Sequence, residues 1–226
     1  MVLKAWCAAC SVLLLAASAV GAQQSLGGGS VTASATSATT GSAATCKAIN
    51  WPTADTISRR SVEKGLPDFG VLNANVWRSG QPTDRGYSRL AEMHVKTIVN
   101  LRAEFPLEKD RVPAGVQYFY IPITDETAPT EDQAKQFLKI VTNPANWPVL
   151  VHCTHGEGRT GVMCALVRYS IDGWDNKRIL KEVGNFRHSF LGMTNAQLCS
   201  GQQRFLDQWE QSNRPGEYQQ AVGSGQ

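Results

Sequence analysis

No run of massed basic residues occurs anywhere in the chain: 22 lysines and arginines are scattered among 19 aspartates and glutamates, for a formal net charge of +3. Composition therefore gives no support to nucleic-acid binding. The sequence also lacks an apolar stretch of the roughly 20 residues that a membrane-spanning helix needs. The nearest approach is N-terminal, where Lys4 precedes uncharged residues 5–20, centred on Val12, Leu13, Leu14 and Leu15. A short charged region, an apolar core and the small residues around Val20-Gly21-Ala22 read as an export signal over residues 1–22, cleaved after Ala22. The competing reading is an uncleaved anchor. With the signal removed, a periplasmic or secreted protein without stable membrane insertion is expected.

Residues 23–45 have no charge and no aromatic side chain, and are nearly all Gly, Ser, Ala and Thr. A segment with so little to bury reads as a flexible linker. Nearly all charged residues, and every tryptophan except Trp6, fall in residues 46–213, which suffices for one core of ordinary domain size. Residues 214–226 are polar and read as a frayed tail. Four cysteines remain after signal removal: Cys46, Cys153, Cys164 and Cys199. An oxidising compartment permits some of them to pair.

Residues 97–101 and 118–123 are short apolar runs rich in β-branched and aromatic residues, and read as strands. Thr130 and Gln133 form a capping box, followed by Ala134, Phe137, Leu138 and Val141 at helical spacing until Asn143-Pro144. Val149-Leu150-Val151 has the length and apolarity of a buried strand. Residues 161–171 are apolar nearly all round, as a central buried helix would be, and stop at Asp172-Gly173. Two more helices are expected, one carrying Ile179, Leu180 and Val183, and one running from near Thr194 past Leu198, Phe205, Leu206 and Trp209. Strands alternating with helices, then helices alone, predict an α/β fold with a central, mainly parallel sheet flanked by helices.

Between the buried strand and the buried helix lies His152-Cys153-Thr154-His155-Gly156-Glu157-Gly158-Arg159-Thr160-Gly161. A strand–loop–helix junction turns consecutive backbone N–H groups and the positive helix end into one concavity, which suits a phosphate. Gly156 and Gly158 let the backbone curl around it. Thr154, His155, Gly156, Glu157 and Gly158 would thus surround the anion, while Arg159 closes over it with a planar fork. The same positive groups favour a thiolate at Cys153, the nucleophile. The Thr160 hydroxyl is placed to donate to the cysteine sulfur and ease departure of the thiolate. His152 reads as a buried residue ordering the loop.

These positions resemble the cysteine-dependent protein tyrosine and dual-specificity phosphatases, whose pattern is His-Cys, five residues, Arg, then Ser or Thr. Val76-Trp77-Arg78-Ser79-Gly80-Gln81-Pro82, Lys96-Thr97-Ile98-Val99-Asn100-Leu101-Arg102, Arg168-Tyr169 and Gly173-Trp174 extend the likeness to the bacterial and fungal atypical dual-specificity enzymes. The resemblance implies a dual-specificity-phosphatase-like fold, a phosphocysteine intermediate and no cofactor or metal. It also implies an acid from a loop about thirty residues before the cysteine. Asp125 lies 28 residues before Cys153, with Asp132 and Glu126 as rivals. Arg78 and Arg102 would shape the rim or be solvated. Phosphotyrosine in proteins is the first expectation, with phosphoserine or phosphothreonine beside it. Inositol polyphosphate is the alternative, made less attractive by a loop without lysine. A sulfurtransferase or a phosphate-binding module would be the non-phosphatase readings. Cys164 reads as a packed hydrophobe, leaving Cys46 and Cys199 either bonded to each other or free.

Overall fold

Four of the six strands in the main sheet run parallel, and their carboxyl ends all face the same edge. In a computed structural model of the chain, residues 55–186, 189–190, 193–194 and 198–219 are described. The expected signal, the linker and Cys46 lie outside them. The strands are β1 (Ser61–Glu63), β2 (Leu66–Asn73), β3 (Val76–Ser79), β4 (Thr97–Arg102), β5 (Gln117–Ile123) and β6 (Val149–His152), in the spatial order β1-β2-β3-β6-β4-β5. Pairs β1·β2 and β2·β3 are antiparallel, whereas β3·β6, β6·β4 and β4·β5 are parallel.

Side chains leave a strand alternately to its two faces, and the two cores divide accordingly. Val99, Val149 and Val151 join the larger core with α2 (Glu131–Thr142) and α3 (Gly158–Ser170). Ile98 and Leu150 face the smaller core with Tyr87 and Leu90 of α1 (Asp84–Glu92). Helices α4 (Asn176–Val183) and α5 (Ser200–Ser212) complete the larger core through Ile179, Val183, Leu206 and Trp209. Helix α3, buried from Arg159 to Ser170, is its centre.

The expected α/β sheet, the Thr130–Gln133 capping box and the buried strand before the loop are present. Several boundaries differ. The central helix starts at Gly158, not Gly161, because the chain turns at Gly156 (φ +82°), so Arg159 and Thr160 lie in its first turn. The last helix starts at Ser200, since Thr194 pairs in a short strand, Met193–Thr194 with Ser189–Phe190, and Cys199 is extended at the cap. The antiparallel pair β1·β2 carries no clean apolar alternation by which the sequence would show it. The polar tail is tied down as far as it is described: Gly216 N donates to Tyr169 O at 2.9 Å, and Tyr218 packs on the core.

Candidate active site

Each parallel strand delivers one part of the site from its carboxyl end, the edge where α/β sheets place ligands. Strand β6 hands over directly to Cys153. All four of its residues are buried, and His152 pairs in register with Ser79 on one side and Asn100 on the other. The loop then curls under Gly80: a Cβ on Gly156 would stand 2.7 Å from Gly80 N, and one on Gly80 would stand 2.9 Å from Thr154 O. Only glycine at both positions allows this approach, and Gln81 N fastens the loop by donating to Thr154 O at 3.0 Å.

The curl aims the Gly156 N–H at Cys153 Sγ, 3.3 Å away. An amide donating to sulfur stabilises a thiolate, as does the N-terminus of α3 that begins at Gly158. Arg159, 1% exposed, lies across the same loop with Nη2 donating to Thr154 Oγ1 at 2.9 Å and Nη1 to Ile123 O at 3.2 Å. Asp125, just beyond the end of β5, brings Oδ1 to 3.2 Å from Arg159 Nε, and its side chain is 60% exposed. The rival Asp132 sits exposed in the first turn of α2, where a carboxylate complements the helix dipole. The structure thus brings Cys153, Thr154, Gly156, Arg159 and Asp125 together at one end of the sheet. His155 is exposed at the mouth, and Glu157 caps α3 beside Gly158.

Two expectations change. Thr160 Oγ1 is buried and makes no hydrogen bond, so its contact with the cysteine sulfur is not formed in this conformation, in which the sulfur takes the Gly156 amide instead. Arg78 is not at the rim: fully buried beneath the loop, it donates Nη2 to Gly156 O and stacks 3.7 Å over the Phe186 ring. Its Nε and Nη1 have no hydrogen-bond partner. Arg102 does stand near the mouth, donating to Gln81 Oε1 at 2.7 Å and to Glu104 Oε1 at 3.0 Å.

The sequence reading missed two acidic residues. Glu104 reaches into the cradle and accepts from Arg159 Nη1 at 2.7 Å, from Arg159 Nη2 at 3.1 Å and from Thr154 Oγ1 at 2.8 Å. The Arg159 bonds, assisted by Arg102 and Thr154, hold its carboxyl well below the usual carboxylate range. Burial works against the charge of Arg159, yet Glu104, Cys153 and Asp125 raise its pKa overall. Glu108 is fully buried behind the loop, with Oε1 2.9 Å from His152 Nε2 and accepting from the Tyr87 hydroxyl. Burial pushes the Glu108 carboxyl up, but His152, Tyr87 and Gln81 more than offset this and hold it below its ordinary value. His152 therefore orders the loop from behind, as expected, with Nδ1 3.3 Å from Cys153 O. The proximity of Glu104 to Arg102 in the sequence was its one available signal; Glu108 had none.

Cys164 packs in α3 with its thiol pushed up to about 11 by burial. Cys199 is a free thiol whose Sγ donates to Glu126 O at 3.0 Å, while its candidate partner Cys46 lies outside the described residues. Among the described residues, no cluster of His, Cys, Asp and Glu is suited to hold a metal ion.

A cysteine thiol that accepts a loop amide, with a buried arginine fork across the loop and a carboxylate at the mouth, defines a cysteine-dependent phosphatase of the tyrosine and dual-specificity kind. The family model described as DSP-PTPase phosphatase fused to NAD+ kinase matches residues 28–202, and the chain belongs to that family. The chain is 28% identical over 153 residues to inositol diphosphatase DSP4 of Arabidopsis thaliana, covering 65% of this chain and 73% of that protein. It is 27% identical over 115 residues to the dual specificity protein phosphatase TpbA of Pseudomonas aeruginosa, covering 50% of this chain and 51% of TpbA. The match thus spans about half of TpbA's length. Two solved structures share the fold: TpbA in complex with phosphotyrosine (TM-score 0.57, 20% identity, 76% of this chain and 100% of that one) and the catalytic core of the PP-IP phosphatase SIW14 of Saccharomyces cerevisiae (TM-score 0.57, 23% identity, 72% and 94%).

Proposed function

We propose that the protein hydrolyses phosphomonoesters through a phosphocysteine on Cys153, with phosphotyrosine in proteins as its main substrate class and phosphoserine and phosphothreonine as lesser ones. The cradle carries this reading, with the Gly156 amide on Cys153 Sγ and the buried Arg159 fork across the loop. Cys153 thiolate attacks phosphorus, and the bond to the leaving oxygen breaks as Asp125 supplies that oxygen with a proton. Water then attacks the phosphocysteine, giving its proton to Asp125. The thiolate departs, aided by the Thr160 hydroxyl turning toward it, and inorganic phosphate is released. Amides of the loop from Thr154 to Gly158, together with Arg159, hold the equatorial oxygens throughout.

Two carboxylates, Glu104 and Asp125, face the one cradle arginine, and the loop carries no lysine. Their repulsion disfavours a substrate bearing several phosphates and favours one phosphate on a neutral group. The likeness to inositol diphosphatase DSP4 supports inositol phosphates as the second reading. Side-by-side turnover of a phosphotyrosine peptide, a phosphoserine peptide and inositol hexakisphosphate decides between them. The phosphotyrosine peptide is expected to have the highest kcat/KM, and preference for the inositol phosphate overturns that order. Cys153→Ser is expected to abolish turnover with the fold intact, because serine supplies no stable anion at neutral pH. Turnover is expected to survive a chelator, since Arg159 and the amides supply the charge neutralisation.

We propose also that the chain is exported and acts in the periplasm or outside the cell. The apolar residues after Lys4 and the Gly21-Ala22 site support this. Among the described residues, no helix is long and apolar enough to cross a membrane. A mature protein beginning at Gln23 in the exported fraction is the expected result, and an intact Met1 terminus in the cytoplasmic fraction overturns it.

A further inference from the structure

The loop that presents Asp125 is held from outside by one helix end. Cys199, the N-cap of α5, donates Sγ to Glu126 O at 3.0 Å, and Gln202 donates Nε2 to Thr127 O at 3.0 Å. The Oε1 of Gln202 accepts from Cys199 N at 3.2 Å, closing the cap of α5. The same amide lies against the phosphate loop: a Cβ on Gly158 would stand 3.2 Å from both its nitrogen and its oxygen. Gln202 is 1% exposed, although it is polar and belongs to a surface helix.

Within the loop itself two local restraints act: Glu126 N donates to Asp125 Oδ1 at 3.2 Å, and in a tight turn Thr127 N and Oγ1 donate to Thr124 O at 3.2 and 2.8 Å. Neither ties the loop to the phosphate loop. Glu126 adopts φ +58°, a left-handed conformation that a residue with a Cβ keeps only when its surroundings hold it there. Its carbonyl is the one the Cys199 thiol meets.

We infer that Gln202, assisted by Cys199, is a positioning residue for the acid step: the N-terminus of α5 clamps residues 124–129 against the phosphate loop, so that Asp125 stays at Arg159. This rests on the assignment of Asp125 as the acid. An amide suits the task because one side chain donates to the acid loop, accepts from its own helix cap and packs on Gly158. The acid is thereby referenced to the cradle through a single rigid helix. The Cys199 thiol adds a second, weaker tether one turn away.

Hydrogen exchange and steady-state kinetics on the full chain test this together. Gln202→Met removes both bonds of the amide, whereas Gln202→Glu keeps the acceptor for Cys199 and removes only the donor to Thr127. In both variants, amide exchange in residues 124–129 is expected to rise about fivefold to tenfold, the worth of one ordinary hydrogen bond. The kcat for a phosphotyrosine peptide is expected to fall by a similar factor, while the kcat for an aryl phosphate with a strongly acidic leaving group changes little. In an Asp125→Asn background, Gln202→Met is expected to cost nothing further. Cys199→Ala is expected to act in the same direction more weakly, with Cys199→Ser restoring function through its hydroxyl. Unchanged exchange in 124–129 overturns the clamp, and so does an equal kcat loss across leaving groups in the Gln202 variants. If Asp125→Asn alone shows no leaving-group dependence, the acid assignment has failed, and the exchange data, which do not depend on it, show whether the clamp survives.

Discussion

The carboxylate of Glu104 grips the guanidinium of Arg159 with two bonds, 2.7 and 3.1 Å, on the fork that a phosphate needs. Residue 104 follows the end of β4 and residue 159 opens α3, so the contact exists only because β4 and β6 are neighbours in the sheet. An incoming phosphate meets an arginine already occupied by an anion and must share or displace it.

Glu104→Gln is therefore expected to tighten inhibition by inorganic phosphate about tenfold, the value of one charge-assisted bond no longer contested. Inhibition constants of the two proteins at fixed ionic strength measure this. An unchanged constant means that phosphate uses the Nε edge of Arg159 and leaves Glu104 in place.

The same pair makes stability depend on acid. The folded protein holds Glu104 below its unfolded value of about 4.3. Its contribution is thus complete above that pH and lost as pH falls toward the folded value. The carboxylate is 43% exposed and partly screened, so the effect is small. The native protein is expected to exceed Glu104→Gln in Tm by on the order of 2 °C at pH 7, with the gap closing below about pH 4. A gap that stays constant down to acid pH defeats this account.

Asp125→Asn keeps the size of the side chain but has no proton to give, and turnover of a phosphotyrosine peptide is expected to drop about 10²–10⁴-fold. The loss is expected to shrink for an aryl phosphate whose leaving oxygen hardly needs protonation. A larger effect from Asp132→Asn would move the role to α2, against the exposed placement of Asp132 at the helix start.

Arg78 has no carboxylate partner among the described residues and leaves two nitrogens unbonded in the core, a costly way to hold one loop carbonyl. Arg78→Met is expected to be neutral or stabilising in thermal unfolding. It is also expected to slow alkylation of Cys153 about tenfold, because the Gly156 peptide is released and a buried cation is lost. Unchanged alkylation would assign Arg78 to packing alone.

The loop from His152 to Gly161 was legible because its chemistry is contiguous: nucleophile, amides and arginine are set by covalent spacing, and flanking apolar runs mark the strand and the helix. The helix beginning at Glu131 was equally legible, since a capping box is a local device. Boundaries failed where a local conformation intervened. The turn at Gly156 let α3 start three residues early, and strand pairing by Met193–Thr194 delayed α5. Asp125 became a candidate through the resemblance, which implies an acid about thirty residues before the cysteine, and the readable strand and cap around it narrowed the choice.

Glu104, Glu108 and Gln202 were out of reach for a different reason. The segment from Glu104 to Arg111 has the composition of a solvated surface turn, yet Glu108 is fully buried against His152. Gln202 is one of several glutamines in a polar helix, and only its place beside Thr127 and Gly158 distinguishes it. The candidate nucleophile Cys153, its candidate anion loop and the strand–loop–helix that presents them can be read from residue order, because those depend on adjacency and on periods of two and 3.6 residues. Which charges surround that loop follows from long-range packing. Partners 55 residues apart, such as Glu104 and Arg159, meet only when the whole sheet and its helices have packed, and the order of those strands follows from the burial summed over both faces of the sheet.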